Sequence, residues 1–203
     1  MLLAIQSNRL FSTASSPAAL FLLCAATSTV SAQWTVTNLN PTGSTWSSGH
    51  GSSGRQQTGN AIVDGLNRAS IWNETAASWI DLNPTGSTQS VAVATSGGKQ
   101  SGVAFVGGVY RASLWSGTAE SWVDLNPAGS TTSSANAISG SQQAGYAAVR
   151  GVYRASLWNG TAASWVDLNP VGSTESEVFA AGDGQQAGYA YFGQGFHAGF
   201  WCG

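Results

Sequence analysis

A 43-residue period, four short strands in each period and no 3.6-residue apolar periodicity predict an all-β fold. The expected architecture is a four-bladed β-propeller, or an open propeller-like array, of 43-residue four-stranded repeats. Arg-Ala-Ser-(Ile/Leu)-Trp starts at Arg68, Arg111 and Arg154. Asn-Pro recurs at Pro41, Pro84, Pro127 and Pro170, and Gln-x-Gly at Gln57, Gln100, Gln143 and Gln186. Charged residues are only 8%, with Gly 26 and Trp 9. A sheet buried on both faces accounts for that composition, since an ordinary soluble domain carries roughly 25% charge.

The elements follow in order within a repeat. Arg154–Trp158 alternates small or apolar with polar residues, so it reads as a strand. Asn159-Gly160 turns the chain, and Ser164–Leu168 is the returning strand of a hairpin. Asn169-Pro170 and Gly172 supply the next turn, because Pro fixes φ and Gly permits positive φ. A third strand is expected near Glu177–Ala181, a turn at Gly182–Gly184, and a fourth strand over Ala187–Phe192.

The N-terminus reads as a signal peptide over residues 1–32. Arg9 is its only charge, an apolar run covers Pro17–Ala26, and Val30-Ser31-Ala32 is a small-residue cleavage site before Gln33. The run is shorter than the roughly 20 residues that span a bilayer. Leu23 before Cys24 argues against a lipoprotein signal. Residues 33–203 then form a single repeat domain with no second apolar stretch, and Cys202 is its only cysteine. That domain begins in the second strand of a hairpin and ends in the first. Pairing of 33–40 with 197–201, with Trp201 opposite Val36, would close the ring and remove both sheet edges.

The unit Ser134–Ala147, with Arg154-Ala-Ser-Leu-Trp and Trp165-Val-Asp-Leu, resembles the HAF family of bacterial extracellular repeats. His197-Ala-Gly-Phe-Trp is the copy most like the motif that names that family, and the other three copies carry Arg for His. The resemblance implies an extracellular protein of environmental bacteria, planctomycetes among them, and a propeller-like array. It carries over no catalytic or binding residue.

Net charge is −2, so no basic field exists to bind nucleic acid. Asp81, Asp124 and Asp167 recur, with Asn38 in the fourth place. They could ring a channel cation. The expectation is instead a pair within each hairpin, where Ser70 faces Asp81 and Arg68 sits diagonally from it. Trp72, Trp115, Trp158 and Trp201 form one recurring set and Trp79, Trp122 and Trp165 another; burial between repeats is expected over sugar stacking. Gly182–Gly188 matches a dinucleotide glycine pattern but lies between strands, which fails the context test. No cofactor, metal site or catalytic group is expected. Glu175 and Glu177 share a strand face, yet read as a solvated strand start.

Function in a repeat protein is expected where one copy leaves the template. Trp46, His50 and Arg55 in the first repeat are the candidate ligand-binding residues, and Glu175, Glu177 and Asp183 depart in the last. The functional expectation is a secreted structural or interaction module, with a cell-surface polysaccharide or protein as partner. A carbohydrate-binding propeller is the alternative and a glycoside hydrolase a third.

Overall fold

The computed structural model describes residues 34–203, so the expected signal peptide lies outside the described residues. Val36–Gly203 forms one compact unit. It is all-β, and no described helix is long and apolar enough to cross a membrane.

Four units follow one another. The first is β1 (Ser44–Ser53), β2 (Gln56–Val63), β3 (Leu66–Asn73) and β4 (Ile80–Asp81). The second is β5 (Ser87–Ser96), β6 (Lys99–Val106), β7 (Val109–Trp115) and β8 (Val123–Asp124). The third is β9 (Ser130–Ser139), β10 (Gln142–Val149), β11 (Val152–Trp158) and β12 (Val166–Asp167). The last has three strands, β13 (Glu175–Gly182), β14 (Gln185–Tyr191) and β15 (Phe196–Cys202). Strands within a unit are antiparallel neighbours.

The returning strand of each hairpin is shorter than its sequence suggests. Of Ser164–Leu168 only Val166–Asp167 is strand, and Ala162–Ser164 forms a 3-10 turn. Side chains hold this short strand in place of a long ladder. Ser70 pairs with Asp81, and Arg68 Nη1 donates to Asp81 Oδ2 at 2.6 Å. Arg111–Asp124 and Arg154–Asp167 repeat the contact at 2.7 Å. The indoles of Trp79, Trp122 and Trp165 donate to Ser70, Ser113 and Ser156 Oγ at 2.9 Å. The recurring aspartates are therefore hairpin fasteners.

The glycine of Gln-x-Gly has a steric cause. At Gly59, Gly102, Gly145 and Gly188 a Cβ would sit within 2.0 Å of a backbone carbonyl oxygen on the neighbouring strand. Each lies beside a β-bulge or register shift in the first strand of its unit, where the two backbones come closest.

Two devices join successive units. Ala69 N donates to Ser90 Oγ at 2.9 Å, and Ser90 Oγ donates to Asn83 Oδ1 at 2.6 Å. Ala112–Ser133–Asn126 and Ala155–Ser176–Asn169 are the same latch. The second device is tryptophan. Trp115 packs with Ala69, Ile71 and Leu82 of the unit before it, and Trp158 with Ala112, Leu114 and Leu125. Trp72, Trp115 and Trp158 are all buried, as the sequence suggested.

Among the described residues the sheets do not close on one another. β15 pairs with β14, where Trp201 faces Gln186. Residues 36–40 form no strand, and Val36 is 98% exposed. The expected pairing of 33–40 with 197–201, with Trp201 opposite Val36, is thus not formed among the described residues. The residues at that seam differ from those of the other hairpins. In repeat phase, Val36 stands for the second Trp, Asn38 for Asp, Gly199 for Ser and His197 for Arg. The indole hydrogen bond and the ion pair that hold β4, β8 and β12 both lack their side chains there.

Candidate functional site

Trp46, His50 and Arg55 do not converge. They are strung along β1 and the turn after it, so Trp46 and the turn that carries Arg55 lie roughly 20–25 Å apart at about 3.3 Å per strand residue. Trp46 is half exposed and pairs with Ile62 across the ladder. His50 sits at the bulge, its Nε2 2.8 Å from Asn60 Oδ1, and Asn60 Nδ2 donates to Asn67. Arg55 pairs with Glu74 at 2.8 Å in solvent. Arg55 borders a cleft of about 330 Å³ and His50 a separate, shallower one. The exposure of Trp46 was anticipated; a shared site is not what the geometry presents.

Glu175 and Glu177 are tied into the joint between the third and fourth units. Tyr189 donates its hydroxyl to Glu175 Oε1 at 2.5 Å and lies 3.5 Å from Glu177 Oε2. Asn136 of β9 donates to Glu177 Oε1 and to the Val178 carbonyl, both at 2.9 Å. Burial pushes the Glu177 carboxyl above its ordinary pKa, opposed by the Asn136 and Tyr189 hydrogen bonds and reinforced by the Glu175 charge. A carboxyl whose pKa is raised on folding stabilises the fold when protonated, and that contribution is lost as pH rises through the raised value. Glu177→Gln keeps an acceptor for Asn136 and gains a donor towards Tyr189. It should raise the melting temperature at pH 7, with the gain shrinking towards pH 4; thermal melts across that range check it.

One aromatic position escaped the sequence reading. Tyr110, Tyr153 and Phe196 occupy the same place in successive units, all exposed by 42% or more. Tyr110 lies 4.8 Å from Phe105, Tyr153 5.0 Å from Tyr146 and Phe196 5.0 Å from Tyr189, ring centre to ring centre. The signal was present as an aromatic recurring at the 43-residue spacing, broken by Asn67 in the first unit.

A large opening between the third and fourth units runs beside β15. A groove of about 560 Å³ is lined by Leu157, Val166 and Leu168 of the third unit and by Gln186, Phe200 and Trp201 of the fourth. In the second and third units the corresponding apolar surface is covered by two tryptophans, Trp115 with Trp122 and Trp158 with Trp165. The fourth unit supplies Trp201 alone, whose indole donates to the Leu168 carbonyl at 2.9 Å. The backbone there is also unpaired. Leu82, Leu125 and Leu168 each donate their N–H to Ala69, Ala112 and Ala155 at 2.8 Å. Ala198 is the counterpart of those alanines, and among the described residues no strand lies beyond it. Phe200, two residues further along β15, is 69% exposed. An unpaired edge flanked by an apolar groove is the form of a strand-accepting site.

No family model matches the chain, and no curated protein does. Among solved structures it is similar to a mutant puromycin hydrolase complexed with PGG, at 12% identity and a TM-score of 0.55. The match covers 75% of this chain and 26% of the other, so this chain spans about a quarter of that protein. The likeness is one of fold.

Proposed function

We propose that the chain is a secreted interaction module, an open propeller-type array of four repeats that binds a partner by accepting an extended strand along β15. The groove beside β15 carries this reading, because it occupies the place that a Trp and the short strand following it fill in the repeats before it. Backbone hydrogen bonds to the edge would give affinity, and an apolar side chain in the groove would give specificity. The likeness in fold to part of a larger chain is consistent with an array of this kind. The test is a labelled peptide copying residues 163–172, which contain Trp165-Val-Asp-Leu. It should bind the folded protein saturably, and a scrambled peptide should not. Equal behaviour of the two peptides would overturn the proposal.

Carbohydrate binding is a second reading, favoured by the exposed row of Tyr110, Tyr153 and Phe196. Under it, a polysaccharide column retains the protein, and Tyr110→Ala with Tyr153→Ala abolishes retention.

A further inference from the structure

We infer that the strand accepted by β15 is residues 36–40 of a second copy of this chain, so that copies join head to tail. This rests on the strand-accepting reading above and names its occupant.

Both halves of an inter-repeat joint are present, one at each end of the array. At the end of the fourth unit, Ala198 stands where Ala69, Ala112 and Ala155 each donate an N–H to the serine of the next unit. At the start of the first unit, Ser47 is that serine, and it already donates to Asn40 Oδ1 at 2.9 Å, as Ser90 does to Asn83. Ser47 lacks only the alanine N–H from a preceding unit. Ala198 lacks the serine that would accept its N–H and the leucine N–H that would donate to its carbonyl.

Residues 36–40 match the edge in phase. Extending the register of β3 with β4 places Thr37 against Phe200 and Leu39 against Ala198. Leu39 occupies the position of Leu82 and Leu125, which are fully buried in the inter-unit clusters. Here Leu39 is partly exposed and its neighbours 36–38 are exposed.

A second copy is favoured because each segment is fixed at its own end. Residue 40 is fastened to β1 through Ser44 and Ser47, and Pro41 beside it is buried. β15 belongs to the last unit, and among the described residues the sheets do not close. A neighbour's segment needs no bending of the array. Because the seam offers His197 and Asn38 in place of Arg and Asp, the joint has no ion pair and should be reversible.

The test is cysteine cross-linking in the full chain with Cys24→Ser and Cys202→Ser as background. Thr37→Cys and Phe200→Cys are introduced together, and oxidised glutathione is the oxidant. The expected result on a non-reducing gel is a ladder of dimers and higher multimers. It should fade severalfold on tenfold dilution and weaken when the 163–172 peptide is added. Val171→Cys with Phe200→Cys is the out-of-register control and should give no such ladder. A concentration-independent monomer cross-link would mean that the chain closes on its own segment, which overturns the second copy and leaves the strand-accepting reading standing. No cross-link with peptide binding intact overturns the occupant alone. No cross-link and no peptide binding overturn both.

Discussion

Gly145→Ala is expected to cost about 3 kcal/mol or more, at the upper end of what overpacking does to a core. A Cβ there would lie 2.0 Å from the Ser134 carbonyl oxygen and 2.9 Å from Asn136 N. Both are backbone atoms, so no side chain can swing aside. β9 must move away from β10, and with it Asn136, which links the third unit to the fourth through Glu177 and Val178. At roughly 2–4 °C per kcal/mol for a chain of this size, the midpoint should fall by about 6–12 °C. Gly182→Ala is the control. Gly182 lies at the end of β13 with open space around it and no positive φ, so its change should stay within about 0.5 kcal/mol. Thermal melts of the two variants beside the unsubstituted chain check the prediction. Equal losses would show that the glycine is selected for something other than this close approach.

This glycine marks how much of the fold the sequence carried. Gln-x-Gly was visible as a recurrence at Gln143 and Gly145, yet periodicity alone names no cause; the cause is a carbonyl eleven residues earlier on the paired strand. Interactions inside one hairpin were more legible. Ser70 opposite Asp81, with Arg68 on the diagonal, follows from counting back from a Trp72–Trp79 pair, and the ladder has that register. The burial of Trp115 and Trp158 followed from their recurrence in a chain with few charges. The site was less legible. Trp46, His50 and Arg55 all leave the repeat template, but departure from a template carries no distance information, and one strand spreads them along its length. The edge at β15 is defined by a strand position that no described residue fills. Sequence phase pointed to that place, and pointed also to a closure within one chain that is not formed among the described residues.

Trp158→Ala should cost about 4 kcal/mol, the range for a fully buried large aromatic. That is a large part of the roughly 5–15 kcal/mol that stabilises a typical domain. Trp158 is completely buried between the second and third units, against Leu114, Leu125, Ala135 and Ile138. Leu114, Ala135 and Ile138 are fixed in strand ladders, and Leu125 is held by its N–H on the Ala112 carbonyl, so they cannot collapse into the space left behind. The loss falls on a joint between units, and in a linear array each unit contacts mainly its neighbours. Hydrogen exchange should therefore show faster opening in β9 to β15 than in β2 and β3. Trp201→Ala makes the comparison within one protein. Trp201 holds the same repeat position but is only partly buried and borders the groove, so its removal should cost roughly 1 kcal/mol. If residues 36–40 of a second copy cover that groove, the penalty at Trp201 must grow with protein concentration, whereas the penalty at Trp158 must not. A concentration-independent difference between the two tryptophans would place the whole of Trp201's contribution within one chain, and the joint between copies would then have no energetic trace.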